Sequence, residues 1–294
     1  MTMKTLFFTG MLSGALLAPM AMTQVHGGIL DMVAEAFTPK PVVEAPKMRV
    51  LLTHDQPGVV LEVRGKYKIY DPRTNSPVAV SFHGKRRLLE ARSGGIVWGE
   101  EFPGIHQLAI YPDDPNTLFY IDGIEQKGAL FVYDVGHSVS IVNKIDVEDY
   151  LNAVLPQQYK AQLPEELLAG IAITARTASY YSAQNGKTPY WDVDAEKEGF
   201  QGSALKFRSS GFEKAIRKTQ YIALQHAPEE EGKLTPLVAW TNALSDKRYQ
   251  GVTYSAITFD EANKLAKNGK NAAQILKEAF PKASLQLMFT PGQS

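Results

Sequence analysis

Residues 141–181 read IVNKIDVEDYLNAVLPQQYKAQLPEELLAGIAITARTASYY, and two kinds of pattern meet inside this stretch. Its first residues close a series of short β-type runs. From Asp146 onward the apolar spacing becomes helical. Pro164 followed by Glu165 and Glu166 marks a helix start, because the proline ring suits the first helical position and acidic side chains favour the positive end of the helix dipole. LLAGIAITARTASYYSAQ carries that helix on, and Asn185-Gly186 closes it. Leu167, Leu168, Ile171, Ala172, Ala175 and Ala178 share one face, and its small residues predict close approach by another backbone.

Working back from this junction, Met48 to Asn143 is a succession of short segments: MRVLLT, VVLEV, KYKIY, PVAVSF, GIVWG, QLAIY, TLFYIDG, ALFVYDV and SVSIVN. They are rich in Val, Ile, Tyr and Phe and are parted by turn signals such as DQPG, DPRTN, PDDPN and DG, which predicts a barrel or sandwich. Working forward, helices are expected at Phe212–Lys218, Phe259–Lys267 and Asn271–Phe280, the last stopped by Pro281. The acidic cluster Glu229–Glu231 reads as a loop. The expected fold class is therefore α+β: a β-rich region over residues 48–145 packed on a helical region over 146–288, with a short tail at 289–294.

The N-terminal residues read differently. Lys4 precedes an apolar run of about 17 residues from Leu6 to Met22, broken by Gly10, Gly14 and Pro19, with Ala21 and Thr23 as small residues at its exit. That is the layout of a secretory signal over residues 1–24. An uncleaved anchor is the alternative, at the lower edge of the length that spans a bilayer. Residues 25–47, with the Pro-rich TPKPVVEAPK, suit an extended linker. The expected location is the periplasm or cell envelope, with the membrane touched only through this N-terminal segment.

Composition narrows the functions. The chain has 294 residues, 44% of them hydrophobic, which excludes wholesale disorder and suits two domains or one elaborated domain. Thirty-one Lys+Arg balance 31 Asp+Glu, so no surplus of positive charge points to nucleic acid. The absence of cysteine excludes disulfides, thiolate metal sites and a Cys nucleophile. The six histidines are scattered, no Gly-rich phosphate loop opens a helix, and no GxSxG elbow is present. No cofactor or metal is expected. The carboxylates of the helical region, Asp146, Glu148, Asp149, Glu165, Glu166, Asp192, Asp194, Glu196 and Glu198, read first as solvated or capping groups. Arg176 lies near the small-residue face of its helix, where a charge needs a partner; it is either one half of a structural ion pair or a substrate-orienting group.

On these residues the 141–181 stretch resembles the SpoIID/LytB family, cell-wall proteins related to the sporulation stage II protein D lytic transglycosylase and to amidase enhancers. Asn143, Glu148, Asp149, Tyr150, Leu151, Val154, Glu166, Leu168, Ala172, Ala175, Arg176 and Thr177 fall on the family pattern. Asp192 and Gln201 echo its next landmark, and NGKNAAQILKEAFPKASLQLM resembles its closing segment, so the resemblance runs over about residues 48–288. It implies peptidoglycan glycan strands, or envelope proteins, as partners. Active members carry a general-acid glutamate where this chain, counted back from Arg176-Thr177, has Gln158. The family's Gly- and His-rich segment falls at Val252–Ala262, which lacks its His, glycines and Ser-Gln, and WTNALSDK stands where a glycine-rich segment is expected.

A glutamine can hydrogen-bond a glycosidic oxygen but cannot protonate it, and glycosidic cleavage generally depends on that proton. The resemblance therefore implies a catalytically degenerate, peptidoglycan-associated member, with Gln158, Tyr159, Arg176, Tyr150 and Gln201 shaping the remnant cleft. The alternatives are a divergent lytic transglycosylase with a displaced acid, for which Glu165, Glu166 and Asp192 are the candidates, and a structural subunit of an envelope assembly.

Overall fold

A computed structural model describes residues 46–289 except 82, 160–161, 187, 204–210, 227–233, 235 and 241–249. The expected signal segment, the linker up to residue 45, the acidic cluster Glu229–Glu231 and residues 290–294 lie outside the described residues. Among the described residues no helix is long and apolar enough to cross a membrane.

The β-rich half is a two-sheet sandwich. Its strands are β1 (Lys47–Gln56), β2 (Val59–Arg64), β3 (Tyr67–Asp71), β4 (Ser76–Ser81), β5 (Lys85–Arg92), β6 (Gly95–Trp98), β7 (Glu100–Pro103), β8 (Gln107–Pro112), β9 (Leu118–Ile121), β10 (Ile124–Gln126), β11 (Ala129–Asp134) and β12 (Val139–Asp146). One sheet runs β1-β12-β11-β8-β3-β4, extended beyond β1 by the short parallel strand β13 (Val193–Asp194); the other runs β10-β9-β2-β5-β6-β7. Alternate side chains meet between them, Val59, Leu61 and Val63 from β2 against Ile69, Leu108, Ile110, Leu130 and Val132, as the period of two requires. Trp98 lies at the centre, its indole nitrogen donating to the Leu61 carbonyl at 3.1 Å.

Three strands of the sandwich, β5, β7 and the three-residue β10, were not expected from the sequence. In β5 the run Lys85-Arg86-Arg87 hides the strand, and only Leu89 and Ala91 reach the core. One of its charges is answered across the ladder, where Arg86 stands opposite Glu62. β7 (EEFP) offers a single buried residue, Phe102.

The sheet containing β1 and β12 serves two cores. Met48, Val50 and Ile145 leave the sandwich and pack with the helices. On β12 between Ile141 and Ile145, the Asn143 amide is wholly buried and donates to the carbonyls of Lys127 and Ala129 at 2.7 and 3.1 Å. Those carbonyls flank Gly128, where a Cβ would meet the Lys144 carbonyl at 2.2 Å and φ is +82°, so only glycine fits the tight approach.

β12 passes without a loop into α1 (Val147–Gln158), which is followed by α2 (Glu165–Gln184), α3 (Ala195–Glu198), α4 (Phe212–Lys218), α5 (Phe259–Lys267) and α6 (Ala272–Ala279). The three C-terminal helices fall where the periodicity puts them. α5 and α6 each open with a capping box, Thr258 with Glu261 and Asn271 with Gln274. Pro164, expected at the first helical position, is instead the N-cap of α2, one position earlier. The helical half also holds strands that the sequence reading lacked: β14 (Ile222–His226) pairs antiparallel with β17 (Ala283–Leu287), and β15 (Leu237–Val238) pairs parallel with β16 (Thr253–Tyr254). Pairs this short carry too little apolar alternation to be seen.

Candidate functional site

A cavity of about 360 Å³ opens between α1, α2, α3 and β15. Its floor is the small-residue face of α2: Ala175, Ala178 and Ser182 line it, where the sequence suggested the seat of another backbone. Ala172, further along the same face, is buried in the core.

Helix α1 and its C-cap bring three of the expected cleft residues to the groove, Tyr150 from the first turn and Gln158 and Tyr159 from the C-terminal end. Tyr150 stacks on Phe200, centroids 5.9 Å apart and planes 19° off parallel. The Tyr159 ring is held by Phe259 and Phe212, each at 5.9 Å. Burial pushes both phenols above the ordinary tyrosine range, so they stay neutral hydrogen-bonding groups. Gln158 ends the helix, and its amide nitrogen donates to the Glu198 carbonyl at 3.2 Å.

Glu198 and Trp240 complete the wall. Glu198 closes the one-turn helix α3, capped at its start by the Asp194 carboxylate and at its end by Gly199 at φ +71°. The Glu198 carboxyl makes no hydrogen bond or ion pair among the described residues. Burial first, then the nearby Asp194 carboxylate, pushes its pKa up. Trp240 sits at φ +55°, a left-handed conformation costly for a bulky residue, and its indole N–H is buried without a partner among the described residues. An unpartnered donor and an unpartnered acid in one groove are groups that a bound ligand would satisfy.

The other expected residues lie elsewhere. Arg176 does not line the groove. It is wholly buried, and its five N–H donors are all taken: Nε and Nη2 by the two Glu148 carboxylate oxygens at 2.7 Å each, Nη2 also by the Ile216 carbonyl, and Nη1 by Thr219 and the Ile222 carbonyl. It is a clamp joining α1, α2, the end of α4 and the start of β14. Asp192 does not line the groove either: its side chain is wholly buried and accepts from the Arg49 backbone and side chain. Glu165 faces Lys214 and Lys218, whose charges and hydrogen bonds pull its pKa down and keep it ionised. Glu166 accepts the Ala272 N–H at 2.7 Å, at the start of α6. Gln201 is exposed and does not line the groove.

Of the segment expected to replace the Gly- and His-rich motif, Thr253–Tyr254 form β16 and Thr258 caps α5; of WTNALSDK only Trp240 is described. Among the described residues no group of three His, Asp or Glu converges as a metal ion would require.

Sequence reasoning missed Glu198 as a site residue. Its signal was the segment DAEKEG, an Asp cap and a Gly stop around one helical turn, which presents the last carboxylate at a fixed position.

The model of the SpoIID family, described as stage II sporulation protein, matches residues 135–226, which span β12, α1, α2, α3, α4 and β14. An uncharacterized protein of Chlamydia pneumoniae is 31% identical over 253 residues, 84% of each chain. This chain belongs to the SpoIID family. Another uncharacterized relative, from Chlamydia muridarum, is 27% identical over 262 residues, 88% of this chain and 83% of that one. An uncharacterized Brachyspira hyodysenteriae protein is 25% identical over 175 residues, 59% of this chain and 47% of its own. No solved structure matches. SpoIID membership carries a cell-wall-related function, and the matched residues supply three walls of the groove, while Trp240 lies outside them.

Proposed function

We propose that this SpoIID protein is exported to the cell envelope, associates with peptidoglycan, and holds a glycan strand in the groove without cutting it through the family's acid. The observation that supports this reading is that Gln158, which the family resemblance puts at the acid position, lines the groove beside Tyr150, Tyr159 and the Trp240 N–H, unpartnered among the described residues. Neutral donors, acceptors and aromatic rings suit a polyhydroxylated chain. Gln158 adds hydrogen bonding without a proton to give.

A second reading is favoured by Glu198. An unpartnered carboxyl with a raised pKa in the groove is the ordinary form of a general acid, and with it the protein would be a divergent lytic transglycosylase whose acid has moved from the α1 end to the α3 end.

Both are tested in one tube, by pelleting the purified chain with peptidoglycan sacculi and measuring soluble muropeptide release. Pelleting without release, with release appearing in Gln158→Glu, is the expected result. The gain there should approach the roughly 10²- to 10⁴-fold contribution of general acid–base catalysis. Release by the parent chain that is lost in Glu198→Gln would establish the second reading instead. Neither pelleting nor release would overturn both.

A further inference from the structure

A second cavity, of about 200 Å³, lies on the face of the larger sheet turned away from the sandwich core. Gln107 of β8 and Tyr133 of β11 stand opposite each other there, alternating with Leu108 and Val132, which point into the core. His54 of β1 and the loop residues Tyr190 and Trp191 close it.

The rings form a continuous corner. Tyr133 and Tyr190 meet edge to face at 5.1 Å, Tyr190 and Trp191 lie 6.3 Å apart at 33°, and Trp191 meets His54 at 5.8 Å. The loop that carries two of them is fixed. The buried Asp192 carboxylate accepts the Arg49 backbone N–H at 2.8 Å, and Thr188 Oγ1 both donates to the Trp191 carbonyl and accepts its N–H. Tyr190 is nevertheless 45% exposed, a large aromatic held open to solvent by a rigid loop.

The charges around this cavity are already neutralised. Asp134 accepts from His106 Nδ1 at 2.7 Å and from two backbone N–H groups, and Arg49 is paired with Asp192. His54 Nδ1 is bonded to Ser140 Oγ. What remains without a partner among the described residues is the Gln107 amide, the Tyr133 and Tyr190 hydroxyls and His54 Nε2. A metal cation would find no free carboxylate there, and an anion no free cation. A purely apolar guest would strand the amide and both phenols. A sugar ring meets all the terms: its C–H faces lie on the aromatic rings and its hydroxyls or amide bond to Gln107 and the tyrosines.

The geometry points to this cavity as a second glycan subsite that takes one sugar residue. The proposal rests on the glycan reading of the groove for the polymer that supplies the sugar, while the site itself is independent of it. The same segment reaches both places, Tyr190 and Trp191 at the cavity and Val193 and Glu198 at the groove, so one strand following residues 190–198 would engage both.

The three tryptophans separate the sites, since Trp98 is buried in the sandwich, Trp240 lines the groove and Trp191 the cavity. The full chain carrying Trp240→Phe is titrated with a β-1,4-linked N-acetylglucosamine tetramer while tryptophan emission is followed. A saturable change is expected, and its half-saturation concentration should rise about fivefold in Tyr190→Ala, the size of one aromatic contact, and similarly in Gln107→Ala. Both side chains are at the surface, and an unchanged melting temperature establishes that the variants are folded. A flat titration, or variants that titrate like their parent, overturns the proposal. So does a response to a TPKPVVEAPK peptide in place of the saccharide, which would make the cavity a seat for a Pro-rich segment. A response at Trp191 that survives Gln158→Ala and Glu198→Gln, with sacculus pelleting lost only in Tyr190→Ala, would uphold the cavity and sink the groove.

Discussion

Helix α1 contributes to two polar clusters that differ in how completely they are satisfied. At its start, Glu148 meets Arg176 in a buried pair whose guanidinium has no free donor. At its end, Gln158 sits beside Glu198 and Trp240, where a carboxyl and an indole N–H have no partner among the described residues. Both clusters set charged or polar side chains against the helical half, but only the first is made of residues on which the family resemblance rests; in the second, Gln158 is exposed and stands where the family pattern is broken. The first is closed and architectural. The second is open and costs stability to keep. Function is therefore to be sought where polar groups are left unmet, and a residue that falls on a family pattern can belong wholly to the frame.

The sharpest way to break this comparison is to open the closed cluster. Arg176→Met leaves Glu148 buried without its counter-charge and should lower unfolding free energy by about 3–5 kcal/mol, the usual result of halving a buried pair. Glu148→Leu combined with Arg176→Met should recover part of the loss, because the uncompensated charge is then gone. Urea denaturation measures both, and a single variant as stable as the parent would show the clamp to be ornamental. The next largest effect belongs to Asp192→Asn. It removes a charge that holds the loop before β13 through Arg49, whose own side chain is 30% exposed, so the loss should be about 1.5–3 kcal/mol, the range for hydrogen bonds to a charged group. Loss of binding in this variant should track the loosened Trp191 emission and leave the groove's share intact.

The same distinction explains what the sequence made legible. The helices α4, α5 and α6 were readable because caps and periodicity are local. The junction at Asp146 was readable because the period changes there. The strand β5 was hidden by three consecutive basic residues, of which Arg86 meets Glu62 of β2 and Lys85 meets Glu100 of β7, and the pairing of β14 with β17 joins segments far apart in sequence. For the site, Tyr150, Gln158 and Tyr159 were legible through the motif. Whether Arg176 faces a ligand or a carboxylate depends on which carboxylate folds next to it, and nothing within its own helix says so. Glu198 looked like any of its neighbours Asp194 and Glu196, because burial is set by the groove and not by residue type.

The smallest effect gives the finest test, since it compares two carboxylates by the sign of their pH dependence. Glu198 has its folded-state pKa raised, chiefly by burial. The folded protein therefore holds that proton more tightly than the unfolded chain. The stability this contributes is present in full below the unfolded carboxylate range and is lost as pH rises through the folded value. Glu165 has its pKa lowered, by hydrogen bonding and charge from Lys214 and then Lys218. Its contribution is present above the unfolded range and is lost as pH falls through the folded value. Melting temperatures of Glu198→Gln and the parent should coincide in acid and part as pH rises toward neutral, the variant becoming the more stable. Glu165→Gln should coincide with the parent in acid and become the less stable as pH rises, by an amount that salt screening reduces. If Glu198→Gln is instead less stable near neutral pH, its carboxylate has a partner in solution, and the open cluster is as closed as the one at the other end of α1.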